Sequence, residues 1–230
     1  MGPLLAALSP DLEARAIDLP GHGAAPDWDG TRDYGEMARD LAAEALDGPA
    51  HVIGHSYGAY VALRLAVDRP DLVASLSLYE PVFFAAAVHA DPELAEAYGQ
   101  EAAAFIAPLE VGRLEEAAQA FFEYWGGGVP WDGLRPEQKA YITARIPQVG
   151  ASEPSLVADS GAVWDRLVQV QVPCLLMSGA GSPAITGAIL DALQMKLPQA
   201  ERVQIAGAGH MGPVSHAREI AAVIKEFLNL

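Results

Sequence analysis

Ser56 sits between two glycines in Gly54-His55-Ser56-Tyr57-Gly58, directly after the apolar run Ala50-His51-Val52-Ile53. This pattern predicts a strand, a sharp turn and a helix, with the serine hydroxyl lifted out at the turn as a nucleophile. Such a turn is expected to leave no room for a Cβ two residues before and two residues after the serine, a demand that Gly54 and Gly58 meet. The helix from Tyr57 to Asp68 would aim its unpaired first amides at the space above Ser56, where an oxyanion develops in acyl transfer. A serine nucleophile also needs a base within hydrogen-bond reach. Of the six histidines, His210 is the best candidate, because Gly207-Ala208-Gly209-His210-Met211-Gly212 follows the last predicted strand as a glycine-rich loop at the sheet's carboxyl edge. His22 lies in a turn, and His55 flanks the nucleophile and is expected to point away from it. His51, His89 and His216 read as surface or packing residues.

These residues need a frame, and the hydropathy pattern supplies one. Strands are expected at Glu13 to Asp18, His51 to His55, Ala74 to Tyr79, Cys174 to Ser178 and Glu201 to Ala206. Helices are expected from Tyr34 to Leu46, Tyr57 to Asp68, Ala184 to Leu197 and about Ser215 to Leu228. The alternation is that of a mostly parallel sheet flanked by helices, an α/β fold. It breaks between residues 83 and 165, where alanine-rich helical patterns are interrupted at Gly126 to Pro130 and at Gln148 to Pro154. We read 83–165 as a helical cap insertion and 1–82 with 166–230 as the core.

Composition narrows the partners. With 14 basic and 30 acidic residues the chain has a net charge of −16 and repels nucleic acid and anionic membranes, which leaves a small-molecule partner. The single cysteine, Cys174, falls in an apolar run and reads as a buried strand residue. Met1 to Leu8 is too short, and lacks the basic flank, for a signal peptide or a membrane span, so the expected compartment is the cytoplasm. The histidines lack paired metal-ligand spacing and there is no glycine-rich phosphate loop, so neither a metal nor a nucleotide cofactor is expected. Oligomeric state is not readable from this pattern.

The Gly54 to Gly58 elbow, the Asp18-Leu19-Pro20-Gly21-His22-Gly23 turn and the Gly207 to Met211 loop together resemble the α/β-hydrolase superfamily, in its serine-nucleophile branch, over nearly the whole chain. The resemblance implies Ser56 as nucleophile, His210 as general base and the Tyr57 backbone N–H as one oxyanion donor. Ester, thioester, lactone and carbon–carbon hydrolysis and cofactor-free perhydrolysis all use this constellation. Haloalkane dehalogenase and epoxide hydrolase relatives use an aspartate nucleophile instead.

Two places depart from the family pattern. Where most members carry the triad acid, this chain has Ser182-Pro183, which reads as an N-cap followed by proline in the first helical turn. Some members carry the acid one strand earlier, and there Glu80 ends a strand before Pro81, which is expected to force an extended exit. Glu80 is thus the candidate acid, with Asp159, Asp165 and Asp191 weaker alternatives. The resemblance also implies a central strand and His-Gly loop ahead of the Asp18 turn, supplying the other oxyanion amide. The chain starts beyond them, so it is read either as an N-terminally shortened hydrolase with a gap in mid-sheet or as one whose sheet closes up differently, and weak or absent activity is expected. The cap's Phe121, Phe122, Tyr124, Trp125, Trp131 and Trp164 point to an apolar or aromatic pocket.

Overall fold

A computed structural model describes residues 2–230. Four parallel strands form one sheet in the order β1 (Ala50–His55), β2 (Val73–Tyr79), β3 (Cys174–Gly179), β4 (Glu201–Ile205). Side chains alternate between its faces as the strand period requires. Leu76, Leu78, Cys174 and Leu176 join one core with α2 (Tyr34–Glu44), α3 (Tyr57–Asp68), α4 (Phe84–Ala90) and α10 (Ala184–Lys196). Tyr79, Leu175, Met177 and Ile205 join the other, under α1 (Gly2–Leu8) and the stripe Ile220, Ala221 and Ile224 of α12 (Ala217–Phe227). Helix α3 is buried on nearly every side, from Ala59 to Val67. The alanines at 59, 62 and 66 let it pass close over β1 and β2.

Between β2 and β3 the chain is helical: α4, α5 (Pro92–Glu110), α6 (Leu114–Trp125), α7 (Pro136–Arg145), α8 (Pro147–Leu156) and α9 (Val163–Arg166). Ala117, Ala118, Trp131 and Ile146 make a small core of their own there. The expected break at Gln148 to Pro154 does not occur; those residues lie inside α8, which Pro147 opens at a position where a missing N–H costs nothing. Asp33 ties this region to the rest. It caps α2 through Glu36 N, pairs with Arg64 at 2.8 Å, and accepts from the Ser160 hydroxyl, also at 2.8 Å.

One expected strand is missing. Residues 13–18 are mostly exposed, with Ile17 43 % exposed, and make no ladder. A strand exists only through a neighbour's hydrogen bonds, and the outer edge of β1, which this segment approaches, is separated from it by a cavity of about 640 Å³. The cavity is a slot in the plane of the sheet. Leu4 and Leu8 wall it on one face, Val61, Ala62 and Leu65 on the other.

Among the described residues no helix is long and apolar enough to cross a membrane. Helix α12 is the last helix expected from about Ser215 to Leu228, and a short α11 (Gly212–Ser215) precedes it.

Candidate active site

The turn after β1 holds Ser56 at φ 54° and ψ −123°, a backbone region that a residue with a Cβ occupies only when its surroundings enforce it. Ser56 N donates to Tyr79 O at 3.0 Å, pinning the turn to the end of β2. A Cβ on Gly54 would lie 2.5 Å from Ala59 Cα and from Gly58 O, so the first glycine is required by close approach. The expectation for Gly58 fails: a Cβ there meets nothing within 4 Å, because Gly58 faces the slot beside β1.

Ser56 Oγ lies 3.0 Å from His210 Nε2, and His210 Nδ1 lies 2.8 Å from Glu80 Oε2. The three side chains thus form one hydrogen-bonded line in which Nδ1–H donates to the carboxylate and Nε2 accepts from the serine hydroxyl. Glu80 is fully buried and His210 is 6 % exposed. A buried carboxylate needs several donors, and Glu80 has them. Gly179 N donates to Oε1 at 2.7 Å and the Ser182 hydroxyl donates to the same oxygen. Glu80 leaves β2 at φ 47°, not by the extended exit expected before Pro81. The bond from Glu80 N to Met177 O and the three carboxylate contacts hold it in that left-handed conformation. Ser182 is likewise not a cap: Pro183 occupies the cap position of α10, and the Ser182 side chain turns to Glu80.

Two further residues brace His210. The His55 side chain packs on the loop that carries His210: its Nε2 lies 2.8 Å from His210 O, and the two rings are 4.9 Å apart. Burial first, and the neighbouring His210 second, push the His55 imidazole down to about 3, so it is neutral and Nε2–H donates to that carbonyl. The Tyr79 hydroxyl donates to Gly209 O at 2.8 Å. Sequence adjacency to the nucleophile was the only sign of His55, and nothing local marked Tyr79. The remaining candidates serve elsewhere. Asp159 receives Val163 N and Trp164 N, Asp191 pairs with Arg202, His51 meets Ser75, and His89 stacks on Trp164. Cys174 is buried, which pushes its thiol up to about 11.

Tyr57 is the first residue of α3, so its N–H has no acceptor within the helix and stands next to Ser56. A cavity of about 600 Å³ opens beside His210, walled by Tyr98, Tyr124, Trp125 and the 181–185 and 207–209 segments. Of the six expected aromatics only Tyr124 and Trp125 line it. Phe121, Phe122, Trp131 and Trp164 pack within the cores instead.

The family model for the alpha/beta hydrolase family matches residues 1–223. The chain belongs to that family. It is an enzyme of the α/β-hydrolase fold, built on a parallel sheet. Among curated relatives it is 30% identical over 223 residues to a pimeloyl-[acyl-carrier protein] methyl ester esterase of Neisseria meningitidis serogroup C, covering 93% of this chain and 82% of the relative. It is 27% identical to a poly(3-hydroxyalkanoate) depolymerase of Ectopseudomonas oleovorans, covering 98% and 78% of the two chains. It is also 28% identical to esterase YbfF of Escherichia coli, with 93% and 81% covered. Among solved structures, an alpha/beta hydrolase from Sphaerobacter thermophilus superposes with a TM-score of 0.69 at 23% identity, covering 99% of this chain and 86% of that one. An enol-lactonase from Burkholderia xenovorans gives 0.69 at 21% identity, with 99% and 85% covered, a likeness of fold.

Proposed function

We propose that the protein is a serine hydrolase that cleaves an ester or related acyl bond of a small molecule through an acyl-enzyme. Ser56 is the nucleophile, His210 the general base and then acid, Glu80 the carboxylate that orients His210, and the Tyr57 N–H an oxyanion donor. The unbroken line from Ser56 Oγ through His210 to Glu80 carries this reading. Ser56 Oγ attacks the carbonyl while its proton passes to His210 Nε2. The imidazolium is stabilised by Glu80 across the 2.8 Å contact at Nδ1. His210 then protonates the departing group, and afterwards takes a proton from the water that releases the acyl group from Ser56. The names of the relatives favour an ester over other acyl bonds.

In this reading residues 83–165 act as a cap over a core of 1–82 and 166–230, with Tyr98, Tyr124 and Trp125 facing the substrate. Ser182 is a positioning residue: its hydroxyl fixes the carboxylate that in turn fixes His210.

A second reading is favoured by one observation. The strand that carries Ser56 pairs on one side only, and the slot on its other side reaches Gly54, His55 and Gly58. A nucleophile on so open an edge fits a weak catalyst or a binding protein. A fluorophosphonate probe separates the two, because only an activated serine reacts. Labelling that Ser56→Ala abolishes supports the hydrolase; a folded protein that resists the probe overturns it.

A further inference from the structure

The cavity beside His210 carries a single formal charge. Glu101, on α5, lines it together with Leu94 and Tyr98 from the same helix face, and no Lys or Arg is among its walls. The carboxylate is exposed, and the Tyr124 hydroxyl donates to its Oε2 at 2.8 Å. Three aromatic rings that line the same cavity stand at steep angles to one another. Tyr124 and Trp125 are 5.0 Å apart at 68°, Tyr98 and Trp125 6.1 Å apart at 66°, and Tyr98 and Tyr124 5.9 Å apart at 58°. Stacking of Phe84 at 4.4 Å covers one face of Tyr98, and Trp125 reaches the reactive end of the cavity, 4.5 Å from the His210 ring.

An apolar corner of aromatic rings with one carboxylate attracts an ammonium group twice, through the ring quadrupoles and through the charge, and repels an anion. The protein's net charge of −16 acts in the same direction at longer range. We propose that this corner is a subsite for a cationic group, so that the preferred substrates are esters bearing a protonated or quaternary amine close to the scissile carbonyl, with Glu101 as the residue that sets the preference. The proposal rests on the serine-hydrolase reading for its catalytic consequence, but not for binding.

Two measurements on the full chain test it separately. The first compares kcat/KM for butyrylcholine with that for its neutral isostere, 3,3-dimethylbutyl butyrate, by titrating released acid. The cationic ester should be favoured roughly tenfold, the combined size of a partly exposed ion pair and a cation–π contact. Glu101→Gln should reduce that ratio severalfold, and added salt should lower it in the wild type. A wild-type ratio at or below one, or a ratio unmoved by Glu101→Gln, overturns the proposal. The second follows quenching or enhancement of tryptophan fluorescence on titration with choline, in wild type and Glu101→Gln. Saturable binding weakened by the substitution supports the subsite even where neither ester is turned over, an outcome that would count against the catalytic reading alone. Absence of saturable choline binding, or binding unmoved by Glu101→Gln, overturns the subsite.

Discussion

Replacing Glu80 with glutamine tests the catalytic line at the point where the chain departs most from its family's common pattern. Glutamine keeps the shape of the side chain. Its carbonyl oxygen can stay in the Oε1 position, still accepting from Gly179 N and Ser182, so the buried contacts on that side survive. The amide nitrogen then takes the place of Oε2 and presents hydrogens to His210 Nδ1, which now has to accept. The imidazole is driven into the tautomer with its proton on Nε2, the atom that should receive the proton of Ser56. Loss of the tautomer together with the charge that stabilises the imidazolium lowers turnover by about 10⁴-fold, which is about 5.5 kcal/mol of transition-state stabilisation. The assay is steady-state hydrolysis of a p-nitrophenyl ester, with thermal unfolding measured alongside. We expect kcat to collapse while the unfolding temperature stays within a few degrees. A Glu80→Gln protein that keeps its turnover to within about tenfold would refute the assignment of Glu80 and the tautomer argument with it.

Removal of the Ser182 hydroxyl takes one of three donors from the carboxylate, and Ser182→Ala should lower kcat on the order of tenfold with little change in KM. Ser182→Thr, which keeps the hydroxyl, should restore the rate. His55 predicts a pH dependence of stability. Its folded pKa, about 3, lies below the ordinary value of 6.5, so it contributes fully above pH 6.5. The contribution falls as pH drops through 6.5 toward 3, where the unfolded chain takes up a proton that the folded one refuses. Between pH 7 and pH 5 this costs up to about 2 kcal/mol. Urea unfolding at the two pH values should show a smaller loss in His55→Gln, which keeps a donor for His210 O; an equal loss would exclude His55 as the source.

From residue 34 onward the sheet and its helices were legible because each repeats a local pattern: apolar strand, glycine or proline turn, helix with one apolar face. The same local pattern singled out Ser56 and His210, and the family resemblance added Glu80; the three side chains lie in one hydrogen-bonded line. It failed wherever the deciding partner is remote. Residues 13–18 have the hydropathy of a strand, yet hydrogen-bonding partners, not hydropathy, make one. Ser182 before Pro183 has the look of a cap, and only folding reveals a carboxylate from 102 residues earlier in the chain beside it. Gly58 has the spacing of a steric requirement but faces empty space. His55 was judged by its neighbour Ser56 when the contact that matters is with the main chain of His210.

The unpaired rim of β1 has a colloidal consequence. A strand whose N–H and C=O groups lack a neighbour is a template for strands from other molecules, and β1 offers that template between two apolar walls. The shared charge of −16 opposes such pairing, a repulsion that 0.1 M salt screens beyond about 10 Å. Raising the ionic strength therefore weakens what opposes pairing at the strand that presents the serine. Crowding on that edge would be felt first at Gly54 and His55, two residues and one residue from the nucleophile.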